Sequence, residues 1–357
     1  MAKSAAPKKK QSKANKTFDK AIKKTLTNQK APLEGLDLSE EKLIQIYRQM
    51  LLIRRFEEKA AQMYGMEKIM GFCHLYNGQE AVAVGANAAM HETDYMLTAY
   101  RDHGHALVKG ITANEVMAEL FGKVTGCSRG KGGSMHLFDA EKRMMGGHAI
   151  VGGHIPLAAG FAFGSKYKAE QDVTVCFFGE AAANQGVFHE TLNMAALWKL
   201  PVVYICENNR YGMGTAFERA FAVWDIYERA SAYNMPRDVV DGMDVLDMYR
   251  KTKEAVDRAR YEHIPTFLEA RTYRFRGHSM SDPIHGHYRT KEEVEEMKAK
   301  DPIINFGELL KKENIFSEEQ MKEMDDEIKK IVNESIEFAE KSEEPPLEDL
   351  YTDVIVE

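Results

Sequence analysis

The segment "VTVCFFGEAAANQGVFHETLNMAALWKLPVVYICENN", residues 173–209, decides the fold. Its first seven residues are an apolar run ending at Gly179, and "PVVYICENN" (201–209) is a second. Between them, "NQGVFHETLNMAALWKL" sets apolar residues at helical spacing. Two buried-strand runs joined by a helix form a β-α-β unit, so a parallel sheet is expected.

The same segment puts an acid, Glu180, at the end of one strand and Asn208-Asn209 at the end of the next. In an open parallel sheet, ligands bind beyond the strand carboxyl ends, so these residues point into one crevice. A carboxylate with amide and backbone oxygens is hard-oxygen ligation, suited to Mg²⁺ whose other positions go to phosphate and water. A helix starting after Gly179 would turn its amino end to the same place and favour an anionic diphosphate. The plainer alternative, an acid at a helix start beside two turn asparagines, stands open on these residues alone.

Working outward, Ser39 caps a helix predicted to run to about Tyr64, and "YMLTAY" reads as a short strand. Residues 126–153 read as glycine-rich loop, of a length that in a compact domain is usually functional. "PTFLEARTYR" (265–274) is a further strand after a helix around 244–261. Acidic amphipathic helices follow around 301–312 and 317–341, and Pro345-Pro346 stops the last. The division is a basic, disordered arm over 1–30, a single α/β domain over 31–345, and a tail over 346–357.

The chain has 357 residues, 44% hydrophobic and 29% charged, an ordinary globular composition. No apolar run reaches the roughly 20 residues of a membrane span, and no signal-peptide core stands near the start. Residues 1–30 hold ten lysines and one acid, a net of +9, which leaves −16 for the rest of a chain whose net charge is −7. That acidic body argues against nucleic acid as the main ligand, and an arm without arginine is a poor mitochondrial presequence. Cys73, Cys127, Cys176 and Cys206 are scattered, which argues against a disulfide framework or zinc ribbon and for a reducing compartment.

Common motifs are missing. "GKGGSM" has Met135 where the third glycine of a dinucleotide fingerprint belongs, "GCSRGKG" is one residue short of a P-loop, and "HETLN" lacks the second histidine of a zincin. What remains is longer and more specific. Gly179-Glu180-Ala181, an interval of 26 residues, then Asn208-Asn209 resembles the thiamine-diphosphate motif that begins Gly-Asp-Gly and ends Asn-Asn. "FCHLYNGQEA", "TAYRDHG", "RGKGGSMH", "IVGGHIPLAAG", "NMAALWKLPVVYICENNRYGMG" and "YRFRGHSMSDP" stand in the order seen in alpha subunits of pyruvate dehydrogenase. These are the thiamine-diphosphate-dependent decarboxylating components of 2-oxo acid dehydrogenase complexes. The resemblance spans roughly residues 40–350.

The resemblance implies a thiamine-diphosphate-binding α/β fold, with a central parallel sheet flanked by helices and a C-terminal helical region. It implies that Glu180, Asn209 and the Tyr211 carbonyl hold Mg²⁺, and that Tyr100 and Arg101 grip the diphosphate. Arg274 and His278 would face the diphosphate and the reacting centre. Val151 would meet the aminopyrimidine ring, with Ala149, Ala181 and Ala182 also against the cofactor, and His74 would line the substrate channel. His103 and His154 are candidates for supporting roles, and His105, His136 and His148 read as structural. The implied reaction decarboxylates pyruvate and passes the two-carbon unit to a lipoyl group of the acyltransferase component. A separate beta subunit would supply the acid for the pyrimidine ring in an α₂β₂ heterotetramer.

The sequence departs from the family at three points. Gly-Glu-Ala replaces Gly-Asp-Gly, Ala149 replaces a glycine, and of the mammalian-type regulatory serines only Ser279 is present, with Ala216 and His287 at the other places. The last point favours a bacterial, cytoplasmic protein over a mitochondrial-matrix one. "ENNRYGMG" and "RGHSMSDP" resemble pyruvate enzymes more than acetoin or branched-chain 2-oxo acid dehydrogenases, which are the neighbouring readings. A catalytically impaired paralogue and a generic nucleotide-binding protein are the others. Retention of Tyr100, Arg101, Asn209, Arg274 and His278 counts against impairment.

Overall fold

A computed structural model describes residues 33, 35–352 and 354. The basic arm expected over 1–30 lies outside the described residues.

Strands β1 (Tyr95–Ala99), β2 (Met144–His148), β3 (Thr174–Gly179), β4 (Val202–Asn208), β7 (Arg237–Asp241) and β8 (Thr266–Arg271) form one sheet in the order β2-β1-β3-β4-β8-β7. All five pairings are parallel. The short pair β5 (Tyr211–Gly212) and β6 (Thr215–Ala216) is a separate antiparallel ribbon.

Parallel strands need crossover connections, which put helices on both faces and bury the strands twice over. Alternate side chains accordingly enter two cores. Met96, Val175, Phe177, Val203, Ile205 and Leu268 join one, with helices α1 (Glu40–Gly65), α2 (Glu80–Ala88) and α7 (Val245–Asp257). Leu97, Cys176, Phe178, Tyr204, Cys206 and Phe267 join the other, with α5 (His154–Tyr167) and α6 (Gly186–Trp198). Phe177 and Phe178 are fully buried on opposite faces, and truncating either to Ala should cost about 3–5 kcal/mol.

Ser39 caps α1 by accepting from the Lys42 N–H at 3.3 Å. The short helices α3 (His103–Val108) and α4 (Ala113–Leu120) follow β1, and Thr112 closes a capping box with Glu115 at the start of α4. After β8 come α8 (Lys291–Lys298), α9 (Pro302–Lys312) and α10 (Glu318–Lys341). The chain turns extended at Ser342, ahead of the two prolines.

Two expectations need correction. Residues 126–153 are not all loop, because β2 lies within them as an edge strand beside β1. Its sequence, "MMGGH", carries neither alternation nor β-branched residues, and pairing with β1 alone makes it a strand. The α-helix does not start directly after Gly179 either. Glu180–Asn184 form a 3₁₀ turn, Gln185 is extended (ψ 142°), and α6 begins only at Gly186. The helix amino end therefore starts six residues past Glu180.

Chain order departs from space at two points: β8 lies between β4 and the earlier β7, and a second reversal lies beside β1. From β1 the chain moves to β2 on one side, then returns to place β3 on the other. Such a reversal opens a crevice at the carboxyl ends of the strands.

Candidate active site

The sequence-predicted residues collect along that edge. Tyr100 and Arg101 follow β1, Ala149 and Val151 follow β2, and Glu180, Ala181 and Ala182 follow β3. Asn209 and Tyr211 follow β4, and Arg274 and His278 follow β8. His74 arrives from the stretch before α2.

The turn after β4 is built to aim oxygens. Asn208 donates through Nδ2 to the buried Glu269 carboxylate at 2.8 Å, and its Oδ1 accepts the Arg210 N–H at 3.1 Å. Arg210 sits at φ +76°, a left-handed conformation that a side chain rarely adopts unless its surroundings enforce it. The reversal turns the Asn209 side chain and the Tyr211 carbonyl toward one guanidinium. Arg274 Nη1 donates to Asn209 Oδ1 and to the Tyr211 carbonyl, both at 2.9 Å. Glu180 closes the group from the β3 side. Its Oε2 accepts the Asn209 N–H at 3.4 Å, and its Oε1 lies 3.9 Å from where a Cβ on Gly212 would stand.

Burial sets the electrostatics. Glu180 is 2% exposed, and that burial raises its pKa against the pull of Arg274. Burial and the neighbouring Arg274 bring Arg101 down to about 10. Arg101 is held by donation to the Leu75 and His278 carbonyls, each at 2.8 Å. Burial, then the Arg101 charge, push His74 down to about 2 and His278 down to about 3. Both imidazoles are therefore neutral at pH 7. Their rings lie 5.1 Å apart and pack on Tyr100 at 4.6 and 5.8 Å. Val151 is 41% exposed, while Ala149 is half-buried and Ala182 buried.

A buried polar atom without a partner is costly and asks for a ligand. Glu180 Oε1, Gln79 Nε2, Arg274 Nε, His74 Nδ1 and His278 Nδ1 find none among the described residues. That set mixes an anionic oxygen with donors, which fits a cation and an anion together. No cluster of three or more His, Cys, Asp or Glu suited to a metal occurs among the described residues. The fit here is of one carboxylate with amide and backbone oxygens, which suits a hard cation.

Sequence reasoning named His103 and His154 as candidate supports behind this edge but missed the buried carboxylates Glu57, Asp102, Glu119 and Glu207. Glu119 accepts four backbone N–H groups of the glycine-rich stretch, from Ser128, Gly130, Gly132 and Gly133, at 2.8–3.0 Å. His103 bridges Glu57 Oε2 and Ser134 Oγ, each at 2.8 Å. Burial opposes its charge, but Glu57 holds its pKa above the ordinary value. Asp102 accepts the Leu137 N–H at 3.0 Å, and burial pushes it up to about 7 against the opposing His103. Glu207, hydrogen-bonded to the Tyr76 hydroxyl, is likewise pushed up to about 7 by burial. His154 donates through Nε2 to the Phe177 carbonyl at 2.7 Å and stacks on His148. A run of close-set glycines signals that something must take their N–H groups, but nothing in the sequence says that it is Glu119.

The sequence matches the family described as "Dehydrogenase E1 component" over residues 48–348. It is 50% identical over 321 residues to the pyruvate dehydrogenase E1 component subunit alpha of Rhizobium meliloti (strain 1021), covering 90% of this chain and 92% of that protein. Proteins of the same name from Zymomonas mobilis subsp. mobilis and Rickettsia bellii are 48% and 47% identical, over 88% and 89% of this chain and 89% and 97% of theirs. With a family match over most of its length and relatives of this identity along the same span, the chain belongs to the dehydrogenase E1 component family.

Proposed function

We propose that this chain is the alpha subunit of the decarboxylating component of a pyruvate dehydrogenase, and that it supplies the diphosphate and metal half of an active site. The observation that carries the reading is the convergence of Glu180, the Asn209 amide oxygen and the Tyr211 carbonyl beside Arg274, past the carboxyl ends of the adjacent strands β3, β4 and β8. The names of the relatives favour pyruvate over acetoin or branched-chain substrates.

The family depends on thiamine diphosphate, which when bound supplies the carbanion chemistry of decarboxylation. In this chain, Glu180 Oε1, Asn209 Oδ1 and the Tyr211 carbonyl would hold Mg²⁺, as hard oxygens do. Arg101 and Arg274 put two buried positive charges where an anion would be neutralised by fixed donors. Neutral His74 and His278 can each offer a ring nitrogen to a reacting oxygen without carrying charge. Part of their depression comes from the Arg101 charge, so an anion that neutralises it makes both rings better proton acceptors. Ala149 and Val151, past the end of β2, would form a platform for the pyrimidine ring.

The site opens beside exposed apolar side chains: Met70, Phe72, Ile150, Val151 and Met213. That supports cover by a beta subunit, in an α₂β₂ component that hands its acetyl unit to a lipoyl-bearing acyltransferase. No helix among the described residues is long and apolar enough to cross a membrane, and the bacterial relatives support a place in a bacterial cytoplasm.

The test is reconstitution. The purified chain with thiamine diphosphate, Mg²⁺ and pyruvate should release essentially no CO₂ until a beta subunit is added. Full turnover by the chain alone would sink the two-subunit reading. On the assembled component, pyruvate should exceed acetoin and branched-chain 2-oxo acids in kcat/KM.

A further inference from the structure

We infer that Gln79 is a positioning residue for the cation site: it fixes the Asn209 amide so that the oxygen, and not the NH₂ group, faces the cation. The inference rests on the Mg²⁺ reading above and deepens it. An amide offers an acceptor at one corner and donors at the other, and only the oxygen binds a hard cation. A free Asn side chain would spend part of its time turned the wrong way.

Two contacts decide the orientation. Arg274 Nη1, which donates and cannot accept, lies 2.9 Å from Asn209 Oδ1. The Nδ2 of the same amide donates to Gln79 Oε1 at 3.0 Å. Turning Asn209 over would set NH₂ against guanidinium N–H and oxygen against oxygen, two repulsive pairs in a site where both amides are buried. The donor polarity of Arg274 thus passes through Asn209 to Gln79. A metal ion demands the same polarity as a guanidinium, since both are cations. The arrangement therefore serves either one, and Gln79 holds it from behind.

Gln79 is itself held in place from the Arg274 side. Gly78 sits at φ +95°, and an added Cβ would overlap the Tyr273 carbonyl oxygen and come within 2.9 Å of the Phe275 ring. The Phe275 N–H donates to the Asn77 carbonyl at 2.9 Å. The turn carrying Gln79 is therefore pressed against the two residues that flank Arg274, so both ends of the relay share one contact. The polarity also leaves a remainder. Gln79 is fully buried, and its Nε2 has no partner among the described residues. A fixed donor beside a cation site suits an oxygen of the anion that the cation carries, here the diphosphate.

Two variants separate these roles. Gln79→Met keeps the length and removes the acceptor; Gln79→Glu keeps the acceptor and removes the donor. Thiamine diphosphate is titrated by calorimetry into the assembled component at stepped Mg²⁺, with melting temperatures recorded without cofactor. Gln79→Met should raise the Mg²⁺ needed for half-saturation by about tenfold, the scale of one hydrogen bond in a sheltered site. Gln79→Glu should keep the wild-type Mg²⁺ requirement and weaken thiamine diphosphate itself at saturating Mg²⁺. A purely structural role would lower the melting temperature of Gln79→Met and leave its Mg²⁺ requirement at the wild-type value, and that overturns the inference. So does an equal rise in Mg²⁺ requirement for both variants. Asn209→Ala is the control: if its Mg²⁺ dependence is unchanged, the metal assignment fails, whereas a shift in Asn209→Ala without one in Gln79→Met fails Gln79 alone.

Discussion

Glu180→Gln tests the metal reading through two shifts of opposite sign. Glu180 is 2% exposed, with Oε2 on the Asn209 N–H at 3.4 Å and Oε1 unpartnered among the described residues. Burial raises its folded-state pKa, opposed first by Arg274. A raised carboxyl pKa means that the folded protein retains a proton the unfolded chain has already released. Stability without cofactor therefore falls as pH rises from the unfolded value through the folded one, and above both the charge is a net cost. Gln keeps the size and one acceptor for the Asn209 N–H but removes that charge. The melting temperature of the cofactor-free variant at neutral pH should hold or rise. Cofactor binding should instead weaken by about 2 kcal/mol, roughly thirtyfold, the scale of a lost charged partner in a sheltered site. A ligating carboxyl must be deprotonated, so wild-type Mg²⁺ affinity should fall as pH drops toward the folded pKa, and the variant should lose that slope. The assay is calorimetric titration of thiamine diphosphate at several Mg²⁺ concentrations and pH values on the assembled component. Unchanged Mg²⁺ dependence in Glu180→Gln would make Glu180 no more than the first residue of a 3₁₀ turn and refute the argument.

Other positions give independent tests. Glu180→Asp draws the carboxylate back by one methylene while the Ala181 methyl lies against Gly212, so metal-dependent binding should suffer unless Ala181→Gly accompanies it. Asp102→Asn keeps an acceptor for the Leu137 N–H and removes a group that burial has pushed up to about 7. Wild-type stability should fall between about pH 4 and 7 through this group, so the variant should gain in melting temperature at pH 8 relative to pH 5; an equal change at both values would show that Asp102 does not titrate there. Glu119→Gln turns an NH₂ group toward backbone donors and should cost about 2–4 kcal/mol, with amide exchange accelerated across residues 128–133 and little changed in β3 and β4. Proteolytic cutting within residues 275–289 should slow when thiamine diphosphate is added, because Arg274 borders that stretch and His278 lies within it; equal cutting with and without it would count against their facing the anion.

The sequence by itself determined the β-α-β centre, the acid and asparagines at the strand ends, and the family. Continuous apolar runs such as "VTVCFFG" and "PVVYICENN" have few other fates, since their burial outweighs any local preference, and strand ends carry ligands wherever the strands are parallel. Tertiary structure alone decided the rest. "MMGGH" is a strand only because β1 lies beside it. Glu180 opens a 3₁₀ turn, and the extended Gln185 delays the helix. The buried charges were illegible for the same reason. Gln79 and Asn209 are 130 residues apart in the chain, and Glu119 meets glycines 11–14 residues away that have no periodic relation to it. Local patterns record which face of an element is apolar. They carry no trace of which donor a folded chain brings to which acceptor, because that choice is made by where the sheet's strand order reverses and by which polar groups are then left without water.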